Sequence, residues 1–152
     1  MATVDQVTMK VQRLLTGNMG LRIEVIDGDF ILRFSDVSTV LRVSILDWST
    51  PGSDEPETIV CLTAPVLFGV KPTPELFKWI AMEGNNTVFG HLRVMEDHPE
   101  RGGLFIQFRH NLLGDYLDEK ELEHAIWAVL HTADAIDDEL QQRFGGTRFI
   151  EE

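Results

Sequence analysis

The stretch from Asp118 to Gly146, DEKELEHAIWAVLHTADAIDDELQQRFGG, is the longest in the chain to keep a single helical period. Leu122, Ile126, Val129, Leu130, Ala133, Ile136, Leu140 and Phe144 recur at steps of three or four and form one apolar stripe. Asp118 and Glu121 supply acceptors for the free N–H groups of a first turn, and Gly145-Gly146 supplies the left-handed residue that closes a last one. At 1.5 Å per residue such a helix reaches about 40 Å. A chain of this length folds into a globule only about 30 Å across. The end of the helix must therefore bend, protrude or pack on something else.

What precedes this helix alternates differently. Thr3 and Gln6 form a capping pair ahead of Val4, Val7, Val11, Leu14 and Leu15, which share one face until Gly17. From Leu21 the period is two: Leu21, Ile23 and Val25 alternate with Arg22 and Glu24, and Asp27-Gly28 supplies a tight turn. Phe30, Leu32 and Phe34 then alternate with Arg33. A third strand is expected from about Thr39 to Trp48, with Arg42 and Ser44 opposite Leu41, Val43 and Ile45. The loop STPGSDEPE is too polar and too broken to be an element. Thr58–Val70 reads as a strand covered on both faces, or one running into a packed loop at Pro65.

Thr73-Pro74 starts a short helix carrying Leu76, Phe77, Ile80 and Ala81, which stops near Gly84. A second hairpin follows, with strands of about Thr87–Met95 and Leu104–His110. The expected order is helix, about four strands, helix, two strands, long helix, within a single domain over 1–152. Hairpins between helices, rather than alternating β and α units, indicate an α+β fold with an antiparallel sheet flanked by helices.

Composition narrows the function. The 25 acidic residues exceed the 13 basic ones and give a net charge of −12, which repels nucleic acid and anionic membrane at long range. No segment reaches the apolar length of a membrane span, and the N-terminus lacks a secretory pattern, so the chain reads as cytosolic. Cys61, the single cysteine, lies in an apolar run and reads as a small buried hydrophobe.

His91, His98, His110, His124 and His131 form no metal-ligand spacing, and the alternation puts His91 and His110 on opposite sheet faces. No metal and no cofactor is expected. Asp134, Asp137, Asp138 and Glu139 read as a solvated helix face. G-x-S-x-G, nucleotide-binding glycine loops and H-E-x-x-H are all missing from the sequence, and no nucleophile has a base partner, so the reading is non-enzymatic. Large aromatics at the edges of the apolar stripes remain as candidate contacts: Trp48, Phe77 and Trp79.

The C-terminal half resembles a known family. A short helix leads to an asparagine pair and a T-V-F-G strand (ELFKWIAMEGNNTVFGHLRV). An R-H-x-L-L strand end follows (FRHNLLGDYLDEKELEHAI), and then a terminal helix with A-D-x-x-D-D-E-L before F-G-G (TADAIDDELQQRFGG). This combination resembles the YbjN family, described as bacterial sensory-transduction regulators and related to type III secretion chaperones. The resemblance covers about Glu75–Gly146 and, in element order only, the N-terminal hairpin. It implies a secretion-chaperone-like fold, a homodimer, and apolar grooves that receive a peptide segment of a partner protein, and it supplies no catalytic residues. The leading expectation is thus a chaperone-like or regulatory protein-binding module, its client lying along a sheet edge or in a groove between sheet and helix. The alternative is a small-ligand sensor with a pocket between the long helix and the sheet.

Overall fold

The structure, a computed structural model, describes residues 2–152. It has the expected α+β architecture. Helix α1 (Val4–Arg13) is followed by strands β1 (Glu24–Ile26), β2 (Asp29–Arg33), β3 (Val40–Trp48) and β4 (Glu57–Val70). Helix α2 (Pro74–Trp79), strands β5 (His91–Glu96) and β6 (Leu104–Leu113) and helix α3 (Glu119–Phe144) complete it. All six strands are antiparallel to their neighbours in one sheet, ordered β1-β2-β3-β4-β6-β5. The first four strands form a meander; α2 then carries the chain past the β6 position, so that β5 takes the edge.

Local chemistry sets most boundaries. Thr3 accepts from the Gln6 amide at 3.2 Å while the Gln6 side chain accepts from the Thr3 amide at 2.9 Å, a reciprocal cap for α1. Past Arg13 the helix widens into one π turn, Leu14–Asn18, which buries Leu14 and Leu15. Asp27 and Gly28 both have positive φ, +51° and +82°, the two-residue geometry that matches strand twist. The expected second hairpin is shifted: β5 starts at His91 rather than Thr87, after Gly90, which has φ +80° and where a Cβ would sit 2.5 Å from the Phe108 ring. β6 continues to Leu113.

Three helices share one face of the sheet. Leu122, Ile126, Val129, Leu130, Ala133 and Leu140 of α3 pack, essentially without solvent exposure, against Val60, Leu62, Ala64, Ile106 and Phe108. α3 crosses β4, β6 and β3. Val7 and Val11 of α1, and Leu76 of α2 with Ile80 of the π turn that follows it, fill the two ends of the same core. Side chains fill most of the space between the long helix and the sheet. Where the start of α3 overhangs β6 an open groove remains beside Phe89, His110 and His124, at the place where the expected ligand pocket would lie.

The far end of α3 packs rather than protrudes. Gly145 (φ +77°) ends it, Thr147 pairs with Phe68 of β4, and the tail closes in a 3₁₀ turn, Phe149–Glu151. Arg148 pairs with Asp138 and Glu151, while Arg101 binds Glu152 at 2.8 Å. Of the acidic run on α3, Asp138 and Glu139 are exposed, as expected of a solvated face, but Asp134 and Asp137 are built in. Asp134 accepts from both the amide (2.7 Å) and the hydroxyl (2.6 Å) of Ser38, and Asp137, 1% exposed, also reaches that hydroxyl. The Ser38 hydroxyl thus sits between the two carboxyls, within hydrogen-bond reach of both. Burial pushes the Asp137 pKa up, whereas the Ser38 hydrogen bonds hold Asp134 down.

Among the described residues no helix is long and apolar enough to cross a membrane. Two outcomes are expected. Leu130→Ala should cost about 3 kcal/mol in a urea titration, with an unchanged slope, since Leu130 is fully buried at the helix–sheet contact. A raised folded-state pKa gives stability that is present below the unfolded value and lost as pH rises through the folded one. Asp137→Asn, which mimics the protonated acid, should therefore match the parent in melting temperature near pH 4 and exceed it near pH 7. An equal or lower value at pH 7 would show that Asp137 is held as a carboxylate.

Candidate functional site

Because every helix lies on one side, the opposite face of the sheet is open. Strand alternation decides what it shows. Glu24 and Ile26 of β1 point there, with Asp29, Ile31 and Arg33 of β2, Val40, Arg42, Ser44, Leu46 and Trp48 of β3 and Glu57, Ile59, Cys61, Thr63 and Pro65 of β4. Phe105, Gln107, Arg109, Asn111 and Leu113 of β6 and His91, Arg93 and Met95 of β5 complete the face.

Cross-strand register turns these positions into bands. At one end Leu46, Ile59 and Leu113 stand side by side on β3, β4 and β6, with Trp48 next to them; Leu46 is 40% and Leu113 47% exposed. Such a row on a sheet centre is surplus apolar surface that no other part of the chain covers. A polar row of Ser44, Cys61 and Asn111 comes next. Cys61 is buried there, and burial pushes its thiol pKa up although Arg109 pulls it down, so it is a poor nucleophile.

The middle band is cationic. His91, Arg109, Thr63, Arg42 and Ile31 form one register row across five strands, and Arg93 stands one pair along, opposite Gln107. Arg42 is neutralised by Asp29 at 2.7 Å and Arg33 by Glu24 at 2.8 Å. Arg93 and Arg109 make no ion pair among the described residues.

Beyond the arginines lies a concave, largely apolar end. Pro65 offers no N–H, and register shifts on either side of Leu67 bend β4, keeping Leu67 in the core and turning Phe68 to the open face. There Phe68 stacks on Phe105, centroids 4.8 Å apart, with the Arg101 guanidinium 4.6 Å from the ring centre. Phe149 of the C-terminal turn closes the far wall, its ring 5.9 Å from the Arg33 guanidinium. The cavity so formed, ≈ 360 Å³, is floored by Ile31, Val40 and Pro65 and rimmed by Arg33 and Arg42. From Leu113 to Phe105 the face is about 27 Å long, the span of roughly eight extended residues.

The three aromatic candidates do not converge. Trp48 lies on the open face, 40% exposed. Phe77 is 46% exposed on α2, in the helix layer. Trp79 is partly buried there, its ring 6.2 Å from Phe144 and capped by Arg143. Arg42, Arg93, Arg109 and Phe105 were not singled out from the sequence. The signal available was the recurrence of arginine at the outward positions of predicted strands, but only strand order makes those positions neighbours. His91 and His110 do face opposite ways, His110 lying against Phe89 on the helix side with burial lowering its pKa. Among the described residues no group of three His, Cys, Asp or Glu side chains could hold a metal ion.

Comparison with known proteins shows the family and the fold. The family model TY-Chap1, described as "T3SS (YopN, CesT) and YbjN peptide-binding chaperone 1", matches residues 5–152. Among solved structures, the crystal structure of YbjN from E. coli superposes with a TM-score of 0.61 over 90% of this chain and 93% of that one, at 8% identity. At that identity the likeness is one of fold. No curated protein matches the sequence. Trp79→Ala should cost about 3 kcal/mol by urea denaturation, because its ring joins α2 to the end of α3. Trp48→Ala should cost less than 1 kcal/mol, the side chain having little to lose on folding.

Proposed function

Because the chain belongs to the TY-Chap1 family of T3SS (YopN, CesT) and YbjN peptide-binding chaperones, we propose that it is a non-enzymatic, chaperone-like module that holds an extended segment of a partner protein. The observation that carries this reading is the open sheet face. It combines an exposed apolar row, a cationic band and an aromatic-walled cavity along one strand direction, with no helix over any of them. An extended chain presents side chains at the same period as the strands beneath it, so one segment engages all three zones at once. Trp48 extends the apolar end of this surface, and aromatic anchors of its size carry much of the energy of such contacts.

A second apolar patch lies in the helix layer, where Phe77, Met82, Val88 and Phe89 are all exposed around α2 and the loop after it. We assign self-association to this patch: pairing there leaves the open face of both copies free, whereas pairing through the open face would set two cationic bands against each other. The free, buried Cys61 and the lack of a disulfide fit a reducing, cytosolic setting.

Two measurements test the proposal. Native mass spectrometry of the protein drawn gently from its source cells should show a stoichiometric protein partner, and Leu46→Asp with Leu113→Asp should abolish capture with little change in melting temperature. Capture that survives both substitutions would remove the open face from the function. Phe77→Asp should convert a dimer to a monomer in light scattering while leaving partner capture intact; a parent that is already monomeric would refute the assignment of the second patch.

A further inference from the structure

The open face is basic on an acidic protein. Four of the chain's thirteen basic side chains, Arg33, Arg42, Arg93 and Arg109, project from it together with His91. The acids that share the face, Glu24, Asp29 and Glu57, all lie away from β5 and β6. Glu24 and Asp29 answer Arg33 and Arg42 on the β1–β2 side. On the β5–β6 side no described residue pairs with Arg93 or Arg109: the outward positions of β4 from Ile59 to Pro65 and all those of β5 and β6 hold no carboxylate. Asp97, just past β5, is engaged with the Gly69 amide and Arg101. An unpaired guanidinium pair beside an apolar cavity is half of a charge-assisted contact.

We infer that the segment bound here is an acidic one: a stretch of extended chain with carboxylates over its middle, set on Arg109 and Arg93, and a bulky apolar side chain entering the cavity between Phe105 and Val40. This rests on the peptide-binding reading above and adds the chemistry of the peptide. Carboxylates suit the site because arginine binds them through two parallel N–H donors, and Gln107 and Asn111 beside the band can bind backbone amides. The volume of ≈ 360 Å³ takes a side chain or two. A second copy of the open face is the wrong occupant, since it would bring arginine to arginine. Nucleic acid is also wrong: a long polyanion would meet the field of a protein of net charge −12 beyond this short band.

The test is selection of random displayed segments of about eight residues on the full-length protein, beside the double variant Arg93→Gln, Arg109→Gln. Glutamine keeps most of each side-chain stem, and unchanged melting temperatures would show that the variant is folded. Segments recovered on the parent should be rich in Asp and Glu next to one Phe, Leu or Trp. A synthetic copy of the best segment should bind the variant about tenfold more weakly, and should bind the parent less well as sodium chloride rises. Recovered segments without acids, or equal affinity for parent and variant, would overturn the acidic specificity and leave peptide binding standing. No recovered segment would overturn both readings. A single-stranded oligonucleotide of the same length that binds more tightly than the best segment would overturn the choice of partner.

Discussion

Burial of the α3 stripe against the middle of the sheet is the contact on which the rest of this molecule depends. Leu122, Ile126, Val129, Leu130, Ala133 and Leu140 are all sealed against β4, β6 and β3. Each large apolar side chain taken out of water there contributes roughly 2 kcal/mol. Helices α1 and α2 extend this core from its two ends rather than forming one of their own. The consequence is one-sidedness. A chain of 152 residues has enough helix to cover one face of a six-stranded sheet, and the second face is left to water or to a partner.

The uncovered face is shaped mainly by β4, the longest strand and one of the two at the sheet centre. Up to Pro65 it alternates regularly, which keeps Ile59, Cys61 and Thr63 in line with their neighbours on β3 and β6. The irregularities on either side of Leu67 then bend the strand and turn Phe68 outward to meet Phe105. Gly146 lets the C-terminal tail pass within contact of Phe68, where a Cβ would sit 2.7 Å from the Phe68 carbonyl oxygen. The tail thereby delivers Phe149 to the cavity wall. The terminus of the longest helix and the bend in the longest strand thus build one feature together, although they are far apart in sequence.

Charge is distributed with the same asymmetry. Acids concentrate on the helices, the loops and the tail, where some serve as caps and latches: Asp118 at the start of α3, Asp115 under the Ala2 amide, Asp134 under Ser38, Asp138 and Glu151 around Arg148. The arginines of the open face are the counterweight. A protein with net charge −12 remains soluble and discourages indiscriminate binding to polyanions. A local cationic band still gives it one place where a short acidic segment is favoured.

The sequence alone determined the elements. The period of α3, its Asp118 cap and Gly145 stop, the Thr3–Gln6 capping box and the Asp27-Gly28 turn are local. Each is settled by residues within one or two turns of chain, so each was legible without tertiary knowledge. The α+β class followed from their order, and the resemblance of residues 75–146 extended to the whole chain. Three matters were decided only by tertiary structure. Asp137 reads as one more acid in a solvated run, and only the β2–β3 loop that brings Ser38 over it makes it buried. Trp48, Phe77 and Trp79 read alike as edge aromatics, and only the layering separates the first from the other two. Arg42 and Arg109 lie far apart in sequence, and the pairing of β4 with β6 rather than with β5 brings them into one row. The physical reason is the same throughout: hydrogen-bond caps and amphipathic periods act over a few residues, whereas strand order and one-sided helix packing come from sharing a single core across the whole chain.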